Sequence, residues 1–567
     1  MMFSMELPRG RRAHGGVRPA WRPRSAWLWT LAFRRRHQEI AIVLSDFDAT
    51  ERHITELYTA AVEQLGSDQA SIRSSGLYAL ELLAQDHPAH RQAAVNVMCA
   101  YLRMPFSPTA PGCMLESGAG EGRKEPDAES ETGTAVMGET WQQERRVRLT
   151  AQHILAEHLR DDRAKDHQST DPPSSRFWNN ICLDLTGATL IDFNLINGVM
   201  ADADFHGAAF AGDALFSGAA FSGAARFGSA AFSGDALFDK TAFSGDASFR
   251  EAAFRGDALF DEAAFGRGAG FRRAAFGRDA GFREVTFAGD AWFDRATFAG
   301  HASFGEAAFT GDAWFDKTAF EGDAWFDKAA FSGGASFDEA TFTGDAGFGE
   351  VTFGGDAGFD KAAFASDAWF GEAAFTGHAS FGEAAFTGDA WFDKTAFSRG
   401  ASFDEAAFTG DAGFGEAAFS GSAWFGDASF SAGADALHFE QVRIFSPGAS
   451  HVWPTGWRLA DADGGGFTVV RANDDGGSLA TGQACAAARI APVLILMRAD
   501  LAGCMCRGSR ARWSAGRRAY ARSPSPYGLG CGPVPPRFVR WAHDGNGDGG
   551  GRGGVRSGWS SAPEGHR

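Results

Sequence analysis

The chain has 567 residues, among them 73 glycines and 52 phenylalanines against 5 tyrosines; ordinary globular composition has no such excess of one aromatic, so a periodic architecture is expected. The formal net charge of −18 excludes binding of nucleic acid through overall charge, and 44% apolar residues suffice for a core, which excludes wholesale disorder. No apolar run reaches the ~18 residues of a membrane-spanning helix, the best being Ala26–Phe33 and Ile490–Met497, and seven scattered cysteines fit a reducing cytosol better than a disulfide scaffold.

Residues 1–36 carry nine arginines and one glutamate without periodicity, so residues 1–50 read as a basic, disordered arm rather than a nucleic-acid contact. Ile54, Leu57, Tyr58, Ala61 and Leu65 then recur at helical spacing, as do Ile72, Leu77, Leu80 and Leu83, and Val97, Met98, Tyr101 and Leu102. Gly66 and His87-Pro88 separate these runs, which predicts three helices within 51–104. Residues 105–140 are rich in Pro, Gly and Glu and read as a linker. Residues 141–160 read as a fourth helix, with Val147, Leu149, Ile154, Leu155 and Leu159 apolar.

From Phe205 to Phe430 a phenylalanine stands at every step of a strict alternation of five and six residues, using 42 of the 52. Two positions before each lies a small residue. It is always Ala in the six-residue units and mostly Ala in the five-residue units, with Thr241, Thr318, Thr395, Val285 and Val351 as variants. Upstream the beat is purely five: Leu185, Leu190, Leu195, Met200, Phe205. On a helix, at about 100° per residue, these steps would scatter the phenylalanines around the axis. A chain that turns a corner every unit instead points the residues at i and i−2 to one side of a short extended segment, and coils stack upon coils.

The A-x-L-x-x and A-x-F-x-x units, as in Ala188-Thr-Leu190 and Ala203-Asp-Phe205, resemble the pentapeptide-repeat family over roughly residues 181–432. The resemblance implies a mainly β fold, a right-handed quadrilateral β-helix with four units per coil, the large residue and its small i−2 neighbour inside. The segments around Leu57–Gly66, Leu77–Leu80 and Ala100–Arg103 are similar to the helical region that precedes the repeats in actinobacterial members, which often carry membrane spans further upstream. These helices are expected to cap the N-terminal end of the β-helix, whose open end would expose unpaired edges. The six-residue unit departs from the family pattern, and its extra residue reads as a corner bulge at the Gly-Asp step, glycine supplying the unusual dihedrals.

Four units of 5+6+5+6 make a coil of 22 residues. The residue before the six-residue unit's Ala supports that period: at 213, 235, 257 and onward to 411 it is Asp in nine of ten cases, His301 being the exception, whereas at the interleaved positions it is Asp in four. Eleven or twelve coils are expected. The Asp column reads either as a cation row between coils or as ordinary turn residues beside glycine. Residues 205–430 contain 34 acidic and 15 basic residues, and the rest of the chain is nearly neutral. An acidic rod could mimic B-DNA, as some members of the family do in binding DNA gyrase, or could need its charge only for solubility, and Lys240, Lys317, Lys328, Lys394, Arg250 and Arg283 dilute the row.

After Phe430 the beat fails, and residues 433–472, with His451-Val-Trp-Pro-Thr-Gly-Trp457, are expected to close the β-helix. Residues 473–567 are Arg- and Gly-rich, lack lysine and are expected to be disordered. Asp544-Gly-Asn546-Gly-Asp548-Gly549 begins like an EF-hand loop, but Val555 stands where the bidentate glutamate belongs. Cys504 and Cys506 lack a partner pair at zinc spacing, and His153 and His158, five apart, do not share a helix face. Trp292, Trp314, Trp325, Trp369, Trp391 and Trp424 precede ladder phenylalanines and are expected to point outward on two different faces. No catalytic, cofactor-binding or metal-ligating residue is assigned. The reading is a non-catalytic cytoplasmic scaffold with an acidic surface for an unidentified protein partner. The alternatives are a B-DNA mimic that binds gyrase or another topoisomerase and, for location, attachment to a membrane through a partner or an upstream segment.

Overall fold

The structure, a computed structural model, describes residues 51–107, 128–161, 163, 174–431, 437–462 and 466–472. The basic arm, residues 108–127 of the linker, and the tail from 473 with Cys504, Cys506 and the Asp544–Gly549 segment lie outside the described residues.

Among the described residues four helices precede the repeats: α1 (residues 51–65), α2 (Ala70–Asp86), α3 (Arg91–Leu102) and α4 (Ala128–Leu159). A 3₁₀ turn at Pro88–His90 divides α2 from α3, where His87-Pro88 predicted a break. Leu77, Leu80, Met98, Leu102, Val147, Leu155 and Leu159 are buried in one cluster. Helix α4 begins at Ala128 and not at residue 141, so it takes up the end of the expected linker. The last proline before it is Pro126.

The repeats build a solenoid of stacked coils, in which each short strand pairs in parallel with its copy 22 residues on. Ala319 aligns with Thr341, Ala324 with Ala346, Ala330 with Thr352 and Ala335 with Ala357, one pair for each of the four sides. Numbering the sides in chain order from Ala225–Arg226, face 1 contains the twelve-stranded sheet that runs from Leu183–Asp184 to Ala423–Trp424. Face 2 begins at Ala231–Phe232, face 3 at Ala236–Leu237 and face 4 at Ala242–Phe243. In the all-five stretch the period is shorter, Leu183 aligning with Ala203.

Every ladder phenylalanine from Phe205 to Phe425 is at most 2% exposed. Along a column the rings lie parallel, as in Phe298–Phe320 at 5.0 Å and Phe320–Phe342 at 4.9 Å. Across the core the rings of faces 1 and 3 meet edge to face, Phe304 and Phe315 at 5.4 Å and 88°. Identical coils impose the first geometry, and the ring quadrupole favours the second. Thr318 turns its hydroxyl inward and donates it to the Phe293 carbonyl at 2.8 Å, which is how a polar residue is accommodated in this core.

The corners alternate between two kinds. After each six-residue-unit phenylalanine the chain makes a β-turn whose third residue has positive φ, the type II pattern: Ala329 N–H donates to the Phe326 carbonyl at 2.9 Å with Lys328 at φ +60°. After each five-residue-unit phenylalanine comes a three-residue corner, most often x-Gly-Asp, that was expected to bulge on a left-handed glycine. The expectation holds at the first such corner, where Gly212 has φ +84°, and is corrected after it: beyond Gly218 no solenoid glycine has positive φ, and the left-handed positions are Ser229, Lys240, Glu251 and their successors every eleven residues. Glycine is favoured at the x-Gly-Asp corner by close approach, since a Cβ on Gly311 would lie 2.6 Å from the backbone carbon of Gly289 one coil below.

At the N-terminal end two glutamines stand in for a missing coil. Gln152 of α4 accepts the Ile191 N–H at 2.9 Å and donates to the Ile191 carbonyl at 2.7 Å, and Gln92 of α3 does the same for Cys182 at 2.9 and 2.7 Å. A side-chain amide presents the same donor and acceptor as a peptide, so the first coil's open edge is satisfied. At the other end the ladder does not stop at Phe430. After a three-residue lengthening of the step, Leu437 aligns with Ala412 and Phe439 stacks on Phe414 at 5.2 Å, so the last coil reaches Ile444. Trp453 then lies on Phe425 at 5.9 Å, and strands Trp457–Asp461 and Phe467–Arg471 form an antiparallel hairpin beyond it.

Candidate interaction surface of the solenoid

Because phenylalanine and its small neighbour fill the interior, functional chemistry can only stand on the outward positions of the faces and on the four corners. Faces 2 and 4 present almost only Ala and Thr, as at Ala319, Thr341, Ala330 and Thr352. Faces 1 and 3 carry the tryptophans, and nearly all charge is at the corners.

The corner between faces 2 and 3 holds the Asp column. Carboxylates there accept backbone N–H groups from the next coil: Asp235 N–H donates to Asp213 at 3.0 Å, Asp257 to Asp235 at 3.0 Å, and Asp411 to Asp389 at 2.9 Å. His301 does the same work, its Nδ1 accepting the Asp323 N–H at 3.3 Å. The column therefore has a structural use that neither the cation-row nor the turn-residue reading foresaw; a short acceptor one position before the buried Ala was the available signal. Among the described residues no group of three or more His, Cys, Asp or Glu is arranged to hold a metal ion.

The left-handed corner residues form two charged ridges. Within them Lys240 pairs with Glu262 at 3.3 Å, Lys317 with Glu339 at 3.2 Å, Lys361 with Glu383 at 3.5 Å and Lys394 with Glu372 at 3.1 Å, each across one coil step. These pairs are exposed and contribute little to stability individually, but they place most of the diluting lysines opposite a glutamate. Beside one ridge Asp294, Asp316, Asp338 and Asp360 stack on four successive coils. Burial, with the neighbouring carboxylates of Asp360 and Asp316 adding to it, pushes the Asp338 carboxyl up to about 6. Burial and Asp261 do the same to Asp239, also to about 6.

The tryptophans point outward as expected and are half-buried. On face 1 Trp292 and Trp314 stack at 5.7 Å, and Arg272 lies over Trp292 at 5.4 Å while pairing with Asp294 at 2.8 Å. On face 3 Trp325 and Trp369 stack at 6.0 Å. Gly347 lies between them, where a Cβ would run into the Trp325 ring.

The helices hold polar groups that spacing alone did not single out. His158 is buried, stacks on Trp178 at 3.9 Å, and lies 2.8 Å from Glu81 and 2.6 Å from the Arg176 carbonyl. His153 is exposed and joins none of this. Buried Arg148 donates to the Leu102 and Met104 carbonyls at 2.9 and 2.7 Å and to Glu144 at 2.8 Å, closing the C-terminal end of α3. Burial, then the hydrogen bond to Glu144, pushes the Tyr101 hydroxyl up to about 12. These groups tie helices to one another and to the solenoid's first coil. A cleft of about 760 Å³ at the C-terminal end lies between the last coil and the hairpin, lined by Phe439, Ile444, Trp457, Phe467 and Val469 with Arg443 and Asp461.

A family model described as pentapeptide repeats (9 copies) matches residues 216–264, 238–286, 260–308, 304–352 and 348–396. No curated protein and no solved structure matches the chain.

Proposed function

Since the chain belongs to the pentapeptide-repeat family, we propose that it is a non-catalytic scaffold whose solenoid offers an acidic surface to a protein partner in the cytoplasm. The observation that carries this reading is the placement of charge: 34 acidic and 15 basic residues between 205 and 430, gathered at corners around a rigid, fully packed interior. Among the described residues no helix is long and apolar enough to cross a membrane. Buried polar side chains of the described residues, such as Thr318, Arg148 and Gln152, serve as hydrogen-bonding partners of backbone and neighbours.

Photo-reactive residues placed at outward positions of each face, in the full-length protein in cells, test the reading. Adducts with one protein that cluster on the solenoid support it; adducts confined to the helices, or none, overturn it.

The second reading is mimicry of B-DNA toward DNA gyrase or another topoisomerase. Ten coils at about 4.8 Å each spread the net −19 at roughly one charge per 2.5 Å of axis, against about 1.7 Å for the duplex. The thinner charge and the Lys–Glu ridges favour the scaffold. Inhibition of gyrase supercoiling by the full-length protein at low salt would reverse that order.

A further inference from the structure

We propose that face 3 of the solenoid is the docking strip for an arginine-rich segment of a partner protein. The inference rests on the scaffold reading and adds where the partner lies and what chemistry it carries.

Face 3 has an apolar centre between two acidic edges. Its outward column carries Leu215, Leu237 and Leu259 toward the N-terminal end and Trp325, Trp369 and Trp391 further on. The two corners that border it hold 20 acidic and six basic side chains between residues 205 and 430, net −14, while all the remaining outward positions together net −5. The excess of acid is thus concentrated on one side of the coil, and an occupant of this face must be cationic.

The aromatic centre narrows the cation to arginine. Each tryptophan of the face has an aspartate two residues before it (Asp323, Asp367, Asp389), and Trp325 and Trp391 have another two residues after, Asp327 and Asp393. A guanidinium can lie flat on an indole while its edge forks a carboxylate, which a lysine ammonium cannot do. The solenoid shows this arrangement in finished form on face 1, where Arg272 covers Trp292 and pairs with Asp294. On face 3 the same Trp–Asp juxtaposition recurs at Trp325 and Trp391, and among the described cation–π contacts none is to Trp325, Trp369 or Trp391. Trp325 to Trp391 spans three coil steps, about 14 Å, the reach of four or five extended residues. The occupant is therefore a short segment with arginines set among apolar residues.

Calorimetric titration of the full-length protein with a twelve-residue peptide of alternating Arg and Leu tests this, against its Lys and Leu counterpart. The Arg peptide should bind at least about 5-fold more tightly than the Lys peptide. Trp325→Ser/Trp369→Ser/Trp391→Ser should weaken it at least about 10-fold, and Trp292→Ser/Trp314→Ser on face 1 less than about 2-fold. Asp367→Asn/Asp389→Asn removes charge while each amide oxygen still accepts the N–H of the next coil. It should weaken binding with an unchanged melting curve, and it carries the test if the tryptophan variant fails to fold. No binding by the parent protein, equal affinity for the two peptides, or equal losses on faces 1 and 3 overturns the inference. Cellular adducts from another face would do so too while leaving the scaffold reading intact; adducts from no face would sink both.

Discussion

Gly322 lies so close above Gly300 that a Cβ on it would meet the Gly300 carbonyl oxygen at 2.5 Å. The same contact recurs along both x-Gly-Asp corners, yet Arg267, Arg278, Ser366 and Arg399 occupy glycine positions in these columns. Each of the four has glycine one coil above and one coil below in its own column. One Cβ is thus tolerated where both neighbours can yield. Gly322→Ala, between two glycines, should cost about 1 kcal/mol, and Gly300→Ala, stacked on Arg278, about 2 kcal/mol or more. Guanidinium denaturation of the two variants measures the difference; equal costs would show that neighbouring side chains in the column do not compete.

The turn corners carry strain of another kind. Glu306 sits at φ +58°, a region that costs residues with a Cβ about 1 kcal/mol and that Asn enters more readily. Its upstream counterparts are Asn180 and Asn197, at φ +56°. Glu306→Asn should stabilise the solenoid by about 0.5–1 kcal/mol, read as a higher denaturation midpoint with the slope unchanged. A lower midpoint would mean that the charge of this ridge contributes more than the backbone conformation costs.

That the turn corners went unread shows what the sequence does and does not display. The beat of Phe205 to Phe430 and the period of Asp213, Asp235 and Asp257 announce the core and the coil, because burial and stacking act on every unit alike. Lys240 or Glu251 at positive φ gives no such signal, since neither is a turn-forming type; the turn is held by the coils around it and not by its own residue. Gly311 was legible as special but for the wrong reason, because close approach and positive φ select the same residue. The gathering of acid around face 3 follows only once the columns are assigned to corners. Gln92 and Gln152 had no pattern at all, each acting through an edge that exists only after folding.

The carboxyls raised to about 6 at Asp239 and Asp338, chiefly by burial, set the direction of pH dependence. In the unfolded chain they titrate near 3.9, so between about pH 4 and 6 the folded state holds protons that the unfolded chain has released. Stability from these groups therefore rises as pH falls from 7 to 5 and saturates near pH 4. Asp316 and Asp327 are shifted the same way, again mainly by burial. Asp161, held low first by its hydrogen bond from Arg163, acts oppositely, only as pH falls below about 4. The melting temperature should be higher at pH 5 than at pH 7, and Asp239→Asn/Asp338→Asn should flatten that difference. A melting temperature that falls steadily from pH 7 to 5 would contradict the buried-carboxylate account.

Phe320 tests the ladder itself. It is fully buried, stacked between Phe298 and Phe342, with Phe326 edge-on at 5.9 Å. Phe320→Leu keeps an apolar rung and should cost about 1–3 kcal/mol for the lost ring contacts and partial cavity. Phe320→Asp places a carboxylate where all ring neighbours are apolar, and an uncompensated buried charge is far more costly. In a solenoid each coil touches only its neighbours, so the damage should stay local and uncouple the coils before Phe320 from those after it. The expected result for Phe320→Asp is a melting curve that broadens or divides into two steps, with new proteolytic cleavage near residue 320. An unchanged melting curve would mean that the rung is not buried, and the interior described for every other coil would fall with it.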